Sequence, residues 1–173
     1  MALVVAVPGT VGRLLGRLQG GLDPGVGLAL PPHIPLIEPF VAEPPFLPLE
    51  QFCWRTGHEQ PSFWIELGEL VLDEDAQLAR LAVVSGSEHL VALRDALLER
   101  RFTGEQPETF EPAAIASRIV FRDELAIAAY RERSDGPGDT RCFVERFQLM
   151  SRYPDGSWYE RDFYTLDRAV APA

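Results

Sequence analysis

Apolar runs and polar breaks along the chain predict strands and helices in turn. Residues 2–7 form a continuous apolar run, typical of a buried strand, and Pro8 ends it. Thr10 is expected to cap a helix that ends at Gly20-Gly21. The apolar residues of this helix recur at helical spacing and form one face, made of Val11, Leu14, Leu15 and Leu18. The first part of the chain therefore predicts a strand followed by an amphipathic helix.

The same reasoning predicts the elements that follow. A short helix is expected at residues 49–54, and an amphipathic helix is expected to begin at Ser87, with its inward side chains at Leu90, Leu93, Leu97 and Leu98. Pro154-Asp155-Gly156 predicts a hairpin, and Gly68 predicts a bulge within a strand. Residues 124–130 contain good helix formers but also alternate, and we favour a strand. The other strands are expected at residues 33–38, 63–72, 77–84, 113–121, 141–150 and 157–166.

Two stretches of the chain follow the same order of elements. The first runs strand, helix, loop and Pro32-His33, and the second runs strand, helix, loop and Pro112-Ala113. The central strand residue lies 29 positions before His33 in the first stretch and 31 positions before Ala113 in the second, counted from Val4 and from Ala82. Matched strand–helix–strand units near residues 2–40 and 78–118 predict a duplicated α+β fold. All 173 residues are assigned to one bilobal domain.

The two loops lead into motifs that can be compared residue by residue. The first reads Pro32-His33-Ile34-Pro35-Leu36-Ile37-Glu38-Pro39-Phe40, and the second reads Phe110-Glu111-Pro112-Ala113-Ala114-Ile115-Ala116-Ser117-Arg118. The first resembles the motif Pro-His-x-Thr-Leu-x-x-Pro-Phe of the 2H phosphoesterase superfamily, which includes 2′-5′ RNA ligases and 2′,3′-cyclic phosphodiesterases. The second resembles the repeated motif of that superfamily, with its Phe, Pro and Arg in place.

This resemblance implies a fold and a chemistry. The fold is α+β, with two pseudo-symmetric lobes, each an antiparallel-rich sheet with helices outside, around a central cleft. In the superfamily one histidine removes a proton and the other protonates the leaving oxygen, while Thr or Ser hydroxyls hold the phosphate. Here His33 is the retained catalytic position. The other three positions are degenerate, because the hydroxyl residues are replaced by Pro35 and Ile115 and the second histidine by Ala113.

Residues i and i+2 share one face of a strand, so His33 and Pro35 are expected to face the cleft together, as are Ala113 and Ile115. Three further residues are candidates for substrate binding, namely Ser117, Arg118 and Phe40. Alternation places Arg118 opposite Ala113 and Ser117, so a salt bridge is favoured over phosphate binding for this arginine. No spacing of histidines and cysteines indicates a metal site, and no cofactor is predicted.

Composition and charge narrow the partners. The net charge is −10, and every basic residue is an arginine mixed among acids, so long nucleic acid is not expected as a partner. A short nucleotide or an RNA end with a phosphate remains compatible with a local arginine. The absence of lysine excludes a ligase that adenylates its own lysine, and the predicted chemistry is ATP-independent.

Location and assembly are less constrained. With two cysteines a disulfide framework is not expected, and no apolar run approaches the roughly 18 residues that span a bilayer. A cytoplasmic protein without membrane contact is therefore predicted. The sequence does not determine the oligomeric state.

Three functions remain open from the sequence. The preferred hypothesis is a catalytically degenerate phosphoesterase-like protein that retains binding of a nucleotide or RNA end. The first alternative is an active phosphoesterase with non-standard catalytic residues, for which His58, His89, Ser117 and Arg118 are the replacements considered. The second is a non-enzymatic interaction module. A phosphate binder is expected to have at least two arginines or exposed backbone amides converging on His33, whereas an apolar or closed cleft would rule out both ligand-based hypotheses.

Overall fold

The computed structural model describes residues 1–22, 30–73, 78–100, 102–118 and 140–167. Along the chain the elements are β1 (Ala2–Ala6), α1 (Gly9–Leu22), β2 (His33–Ile37), α2 (Leu47–Glu59), β3 (Phe63–Asp73), β4 (Leu78–Ser85), α3 (Ser87–Leu98), β5 (Ala113–Arg118), β6 (Arg141–Val144), β7 (Arg146–Arg152) and β8 (Trp158–Thr165).

The strands form one eight-stranded sheet in the order β6-β3-β4-β5-β2-β1-β7-β8, and each neighbouring pair is antiparallel. The sheet curls into a half-barrel. Its two halves meet at the β2–β5 pair, and β1-α1-β2 occupies the same place in one half as β4-α3-β5 does in the other. This arrangement confirms the predicted α+β fold with two pseudo-symmetric antiparallel lobes.

One hydrophobic core lies between the sheet and the helices. It contains strand residues such as Leu3, Ile34 and Ala114 together with Leu15 of α1 and Leu93 of α3. Helix α1 contacts β5 and helix α3 contacts β2, so each helix packs against the inner strand of the opposite half. The helices therefore lie outside, as predicted, and the two halves share one core.

None of the described helices covers the second face of the sheet, which we call the helix-free face, and strand alternation shows which residues lie on it. Since Ile34 and Ala114 point into the core, their neighbours along β2 and β5 point to the other face. These neighbours include His33, Pro35, Ala113 and Ile115. The predicted motif positions thus share the helix-free face.

Both predicted boundaries of α1 are wrong. The helix begins at Gly9, so Thr10 lies inside it and does not cap it. It also continues through Gly20-Gly21 and ends at Leu22. Val11 and Leu15 are in the core as expected, because burial of this face stabilises the helix beyond what its glycines favour locally.

Helix α2 is longer than the predicted residues 49–54. Proline in its first turn is tolerated there because the first amides of a helix have no intrahelical acceptor. Near its end Gly57 is buried, and a Cβ at this position would lie 2.7 Å from the carbonyl oxygen of Thr165. The glycine therefore permits close packing of α2 on β8 and does not end the helix.

The predicted strand at residues 141–150 is two strands. It divides at Glu145, so that β6 pairs with β3 in one half of the sheet and β7 pairs with β1 and β8 in the other. The predicted β7–β8 hairpin is confirmed, with the Tyr153 amide donating to the Ser157 carbonyl at 2.7 Å. A register shift between Leu67 and Leu70 confirms the bulge at Gly68.

The strand predicted at residues 124–130 lies outside the described residues. Within the described ranges, no helix combines the length and the apolarity needed to cross a membrane.

Candidate functional site

His33 begins β2 at the centre of the sheet. It is buried, with 7% of its surface exposed, and its Nδ1 lies 2.7 Å from the carbonyl oxygen of Pro31. A carbonyl oxygen only accepts, so Nδ1 carries the hydrogen in this contact. The contact orients the ring and leaves Nε2 as the nitrogen that gains or loses a proton.

A row of side chains crosses the sheet at His33. Ala6 of β1 lies on one side of it and Ile115 of β5 on the other, while Arg80 of β4 pairs with Ile115. Adjacent strands are about 4.8 Å apart, which places the backbone of Arg80 about 10 Å from that of His33. The immediate neighbours of His33 in this row are therefore apolar, and the positive group lies two strands away.

The next row along the sheet carries the other two motif positions. Pro35 pairs with Val4 of β1, and Ala113 pairs with Ala82 of β4. Counting two residues from the His33–Ile115 pair in each strand brings Pro35 towards Ala113. The structure thus brings together His33, Pro35, Ala113 and Ile115, and His33 is the polar member of the group.

Ser117 and Arg118 lie at the far end of β5. Ser117 pairs with Ala79 and Arg118 with Leu78, and a register shift separates these pairs from the one between Ile115 and Arg80. Only the strand positions of these two residues are described, so their contact with substrate stays a prediction.

Phe40 lies beyond the end of β2 that is remote from His33. Its ring is 6% exposed and makes an edge-to-face contact with Phe102 at a centroid distance of 4.7 Å. Its amide donates to the Met1 carbonyl at 2.7 Å, and the Met1 ammonium donates to its carbonyl at 2.6 Å. Burial of this ammonium lowers its pKa. Phe40 is therefore placed apart from His33, and its role in substrate binding stays a prediction.

Gln148 lies on the helix-free face of the sheet, beside Ala6, and was not among the predicted site residues. It is 3% exposed, pairs with Val4, and its Oε1 accepts a hydrogen bond from the Ala6 amide at 2.9 Å. Ala6 is the strand neighbour of His33. The signal in the sequence was a glutamine inside the apolar stretch of residues 147–150, where a buried polar side chain requires a partner.

Arg94 is a second residue that the sequence reasoning missed. It is 5% exposed on α3, donates to the Pro107 carbonyl at 2.8 Å, and places its guanidinium 4.7 Å from the centroid of the Phe110 ring. Phe110 opens the second motif. Arg94 thus holds the loop that leads into Ala113 and Ile115.

The remaining histidines lie away from His33. His58 is exposed on α2, and its ring is 4.3 Å from that of Trp54. His89 is exposed on α3 and lies 5.1 Å from the Phe63 ring. In the described part of the chain, no three His, Cys, Asp or Glu residues form a group able to hold a metal ion.

The two cysteines are buried and unbridged. Burial raises the pKa of the Cys53 thiol to about 12, so it is protonated at neutral pH. A protonated, buried thiol is a poor nucleophile. Cys53 therefore serves as packing in the core.

Comparison with known proteins gives matches at the level of structure. No protein-family model matches the sequence, and no curated protein matches it. E. coli LigT in its apo form is 17% identical, with a TM-score of 0.65 and coverage of 96% of both chains. TT0787 of Thermus thermophilus is 13% identical, with a TM-score of 0.64 and coverage of 96% of this chain and 97% of its own.

Other structures of E. coli LigT match as well, including complexes with 3′-AMP and with phosphate. The complex with 3′-AMP is 15% identical, with a TM-score of 0.65 and coverage of 95% of this chain and 96% of LigT. At such identities the likeness establishes the fold. The chain has the LigT-like α+β fold, and the fold implied by its resemblance to the 2H phosphoesterase superfamily is confirmed.

Proposed function

We propose that this chain is a catalytically degenerate protein of the 2H phosphoesterase superfamily that binds a short nucleotide or a phosphorylated RNA end at His33 without efficient turnover. The observation that carries the proposal is the central strand pair, where His33 faces Ile115 and the adjacent motif positions are Pro35 and Ala113. The fold is that of a phosphoesterase, but the side chains at positions 35, 113 and 115 lack the hydroxyl groups and the second imidazole of the superfamily motifs.

Turnover requires a proton acceptor and a proton donor on opposite sides of the phosphate. One imidazole serves as one of them, but alanine at position 113 offers no second acid or base. Proline and isoleucine at positions 35 and 115 provide no side-chain hydrogen bond to the developing charge. A missing acid or base typically costs about 10²–10⁴ in rate, and each missing donor about 10²–10³.

Binding requires less than turnover. His33 presents an oriented imidazole, and Arg80 adds a cation in the same row of the sheet. Arg80 is the one arginine among the described residues of this row, fewer than the two expected of a phosphate binder. In a chain of net charge −10, a single local arginine favours a small anion over a long polyanion. The complexes of LigT with 3′-AMP and phosphate support this ligand class.

A non-enzymatic interaction module is the second candidate. The observation that favours it is the apolar surroundings of His33, since Ala6 and Ile115 flank it and Val4 and Pro35 form the next row. A face of this kind excludes water and suits contact with an apolar surface. Nucleotide binding distinguishes the two candidates, because the module does not require it.

The test combines binding and turnover. Calorimetric titration with 3′-AMP is performed on the wild type, His33→Ala, Arg80→Gln and the control Arg55→Gln, which alters an exposed residue of α2. We expect binding that the first two substitutions weaken at least tenfold and the control leaves unchanged. The same proteins are incubated with 2′,3′-cyclic nucleotides and 2′-5′-linked dinucleotides, and no turnover is expected.

Two results would contradict the proposal. Turnover by the wild type that disappears in His33→Ala would establish an active enzyme. Failure of the folded wild type to bind 3′-AMP, 2′,3′-cyclic nucleotides and phosphate would favour the interaction module.

A further inference from the structure

A pocket of about 270 Å³ lies at the end of β2 remote from His33. It is formed by the loop between β2 and α2, the start of α2, and the segment that follows α3. Its apolar walls include Phe40, Phe46 and Phe102. The volume is near the lower end of the range for small-molecule sites. The pocket is therefore suited to a compact ligand with an apolar body.

Contacts within the walls fix the shape of this pocket. The Phe40 and Phe102 rings pack edge to face, and Thr103 donates to the Val41 carbonyl at 2.6 Å while the same two residues form a β-bridge. The Phe46 carbonyl accepts from two amides in the first turn of α2. A pocket whose walls are held in this way is formed before a ligand arrives, which lowers the entropic cost of binding.

The Phe46 ring is held from outside the pocket as well. The Arg161 guanidinium lies 4.4 Å from the centre of the ring and pairs with Glu50 at 3.3 Å. Arg161 is thus already paired with Glu50, and it is separate from Arg100, the arginine that lines the pocket.

Among the described residues, the pocket wall carries one cation and one anion. Arg100 and Glu43 both line it, and these two described residues do not form an ion pair with each other. The field of the Arg100 guanidinium reaches Cys53 on α2, where it favours the thiolate. Separate charges of opposite sign beside apolar walls match a ligand that has both charges and an apolar group.

We propose that this pocket binds a free α-amino acid with an apolar side chain of the size of leucine or phenylalanine. The α-carboxylate of the ligand is held by Arg100, whose guanidinium forms paired hydrogen bonds with carboxylates. The α-ammonium is held by Glu43, and the side chain lies against Phe40, Phe46 and Phe102. The site is separate from His33, and the proposal does not depend on the function proposed above.

The test uses ligands that differ by one charge. Wild-type protein is titrated calorimetrically with L-phenylalanine, with 3-phenylpropanoate, which lacks the ammonium, and with phenethylamine, which lacks the carboxylate. We expect L-phenylalanine to bind with a dissociation constant in the millimolar range or below. Each analogue is expected to bind about ten- to a hundredfold more weakly, because one charge-assisted interaction is lost.

Matched variants assign the charges to residues. Arg100→Gln should weaken L-phenylalanine by at least tenfold and leave phenethylamine unchanged, and Glu43→Gln should weaken L-phenylalanine and leave 3-phenylpropanoate unchanged. Ala42→Phe, which adds a ring to the pocket wall, should abolish binding, and Arg55→Gln on the exposed face of α2 should have no effect. Circular dichroism of each variant verifies its fold.

The proposal is overturned if the folded wild type does not bind L-phenylalanine or binds both analogues as tightly. It is also overturned if Arg100→Gln and Glu43→Gln bind L-phenylalanine as the wild type does. Loss of 3′-AMP binding at His33 would leave these results unaffected, so the two proposals fail separately.

Discussion

His33 lies directly opposite Ile115 across the central pair of strands. In the motif that this chain resembles, the position of Ile115 carries a hydroxyl, so each histidine faces a phosphate-binding hydroxyl of the other repeat. The pairing register of β2 and β5 therefore places positions 35, 113 and 115 beside His33.

Restoring the three groups should restore chemistry. The variant Pro35→Thr, Ala113→His and Ile115→Thr is expected to hydrolyse 2′,3′-cyclic nucleotides at least about 10²-fold faster than the wild type, because an acid or base alone contributes about that factor. Release of the nucleotide monophosphate, followed by chromatography, measures the rate. The same three substitutions combined with His33→Ala serve as the control and should be inactive.

Arg94 should be important for stability although it is charged. Arg94→Leu removes the hydrogen bond to the Pro107 carbonyl and the contact with the Phe110 ring. We expect the free energy of unfolding to fall by about 2–3 kcal/mol, as for other buried hydrogen bonds of charged groups. Urea denaturation measures it, with Arg55→Leu on the exposed face of α2 for comparison. Equal stability of the two variants would contradict this role.

Two glycines should respond oppositely to alanine. Gly86 precedes α3 with φ +77°, and a Cβ there would collide with the Trp64 carbonyl oxygen, so Gly86→Ala should destabilise the protein by about 1–3 kcal/mol. Gly16 lies within α1 with open space at its Cβ position, and Gly16→Ala should stabilise by about 0.4–1 kcal/mol. Thermal unfolding of both variants tests the sign of each change.

Alkaline pH should destabilise the fold partly through Cys53. Burial raises the pKa of its thiol in the folded state from the ordinary value of 9.0 to about 12. The folded state therefore retains a proton that the unfolded state releases. The stability that depends on the protonated Cys53 thiol is complete below pH 9 and is lost as the pH rises from 9 towards 12. Over that interval the loss approaches about 1.4 kcal/mol per pH unit.

The variant Cys53→Ala isolates this contribution. Its free energy of unfolding should decline less steeply above pH 9 than that of the wild type, when both are measured by urea denaturation from pH 7 to pH 11. Burial also raises the pKa of Tyr164, and the charge of Cys53 adds to that shift, so the difference between the two proteins reports the thiol together with its interaction with Tyr164. Parallel declines of the two proteins would contradict the assignment to Cys53.

Much of the fold follows from local pattern. Apolar runs identified the strands, and the matched spacing before His33 and Ala113 identified the two halves of the sheet. Within each motif the two positions were placed on one face correctly, because residues i and i+2 of a strand share a face. These features depend on neighbours in sequence, so the sequence alone was sufficient to predict them.

Contacts between distant segments were not predicted. Arg94 is buried because it donates a hydrogen bond to the Pro107 carbonyl and its guanidinium contacts the Phe110 ring. No pattern within α3 indicates those partners. Arg80 lies in the row of His33 because of the pairing register of β2, β5 and β4. The break at Glu145 likewise depends on the different partners of β6 and β7, whereas the residues themselves read as one continuous strand.

Glu145 alone separates β6 from β7, so one short stretch of chain belongs to both halves of the sheet. The Glu145 carbonyl also accepts a hydrogen bond from the Leu166 amide at 2.9 Å. The halves are therefore joined at a second place besides the β2–β5 pair, and they cannot swing apart like a hinged clamp without breaking strand pairing. The spacing between the halves is therefore set by backbone hydrogen bonds at two places, and we expect binding of a small ligand to leave it unchanged.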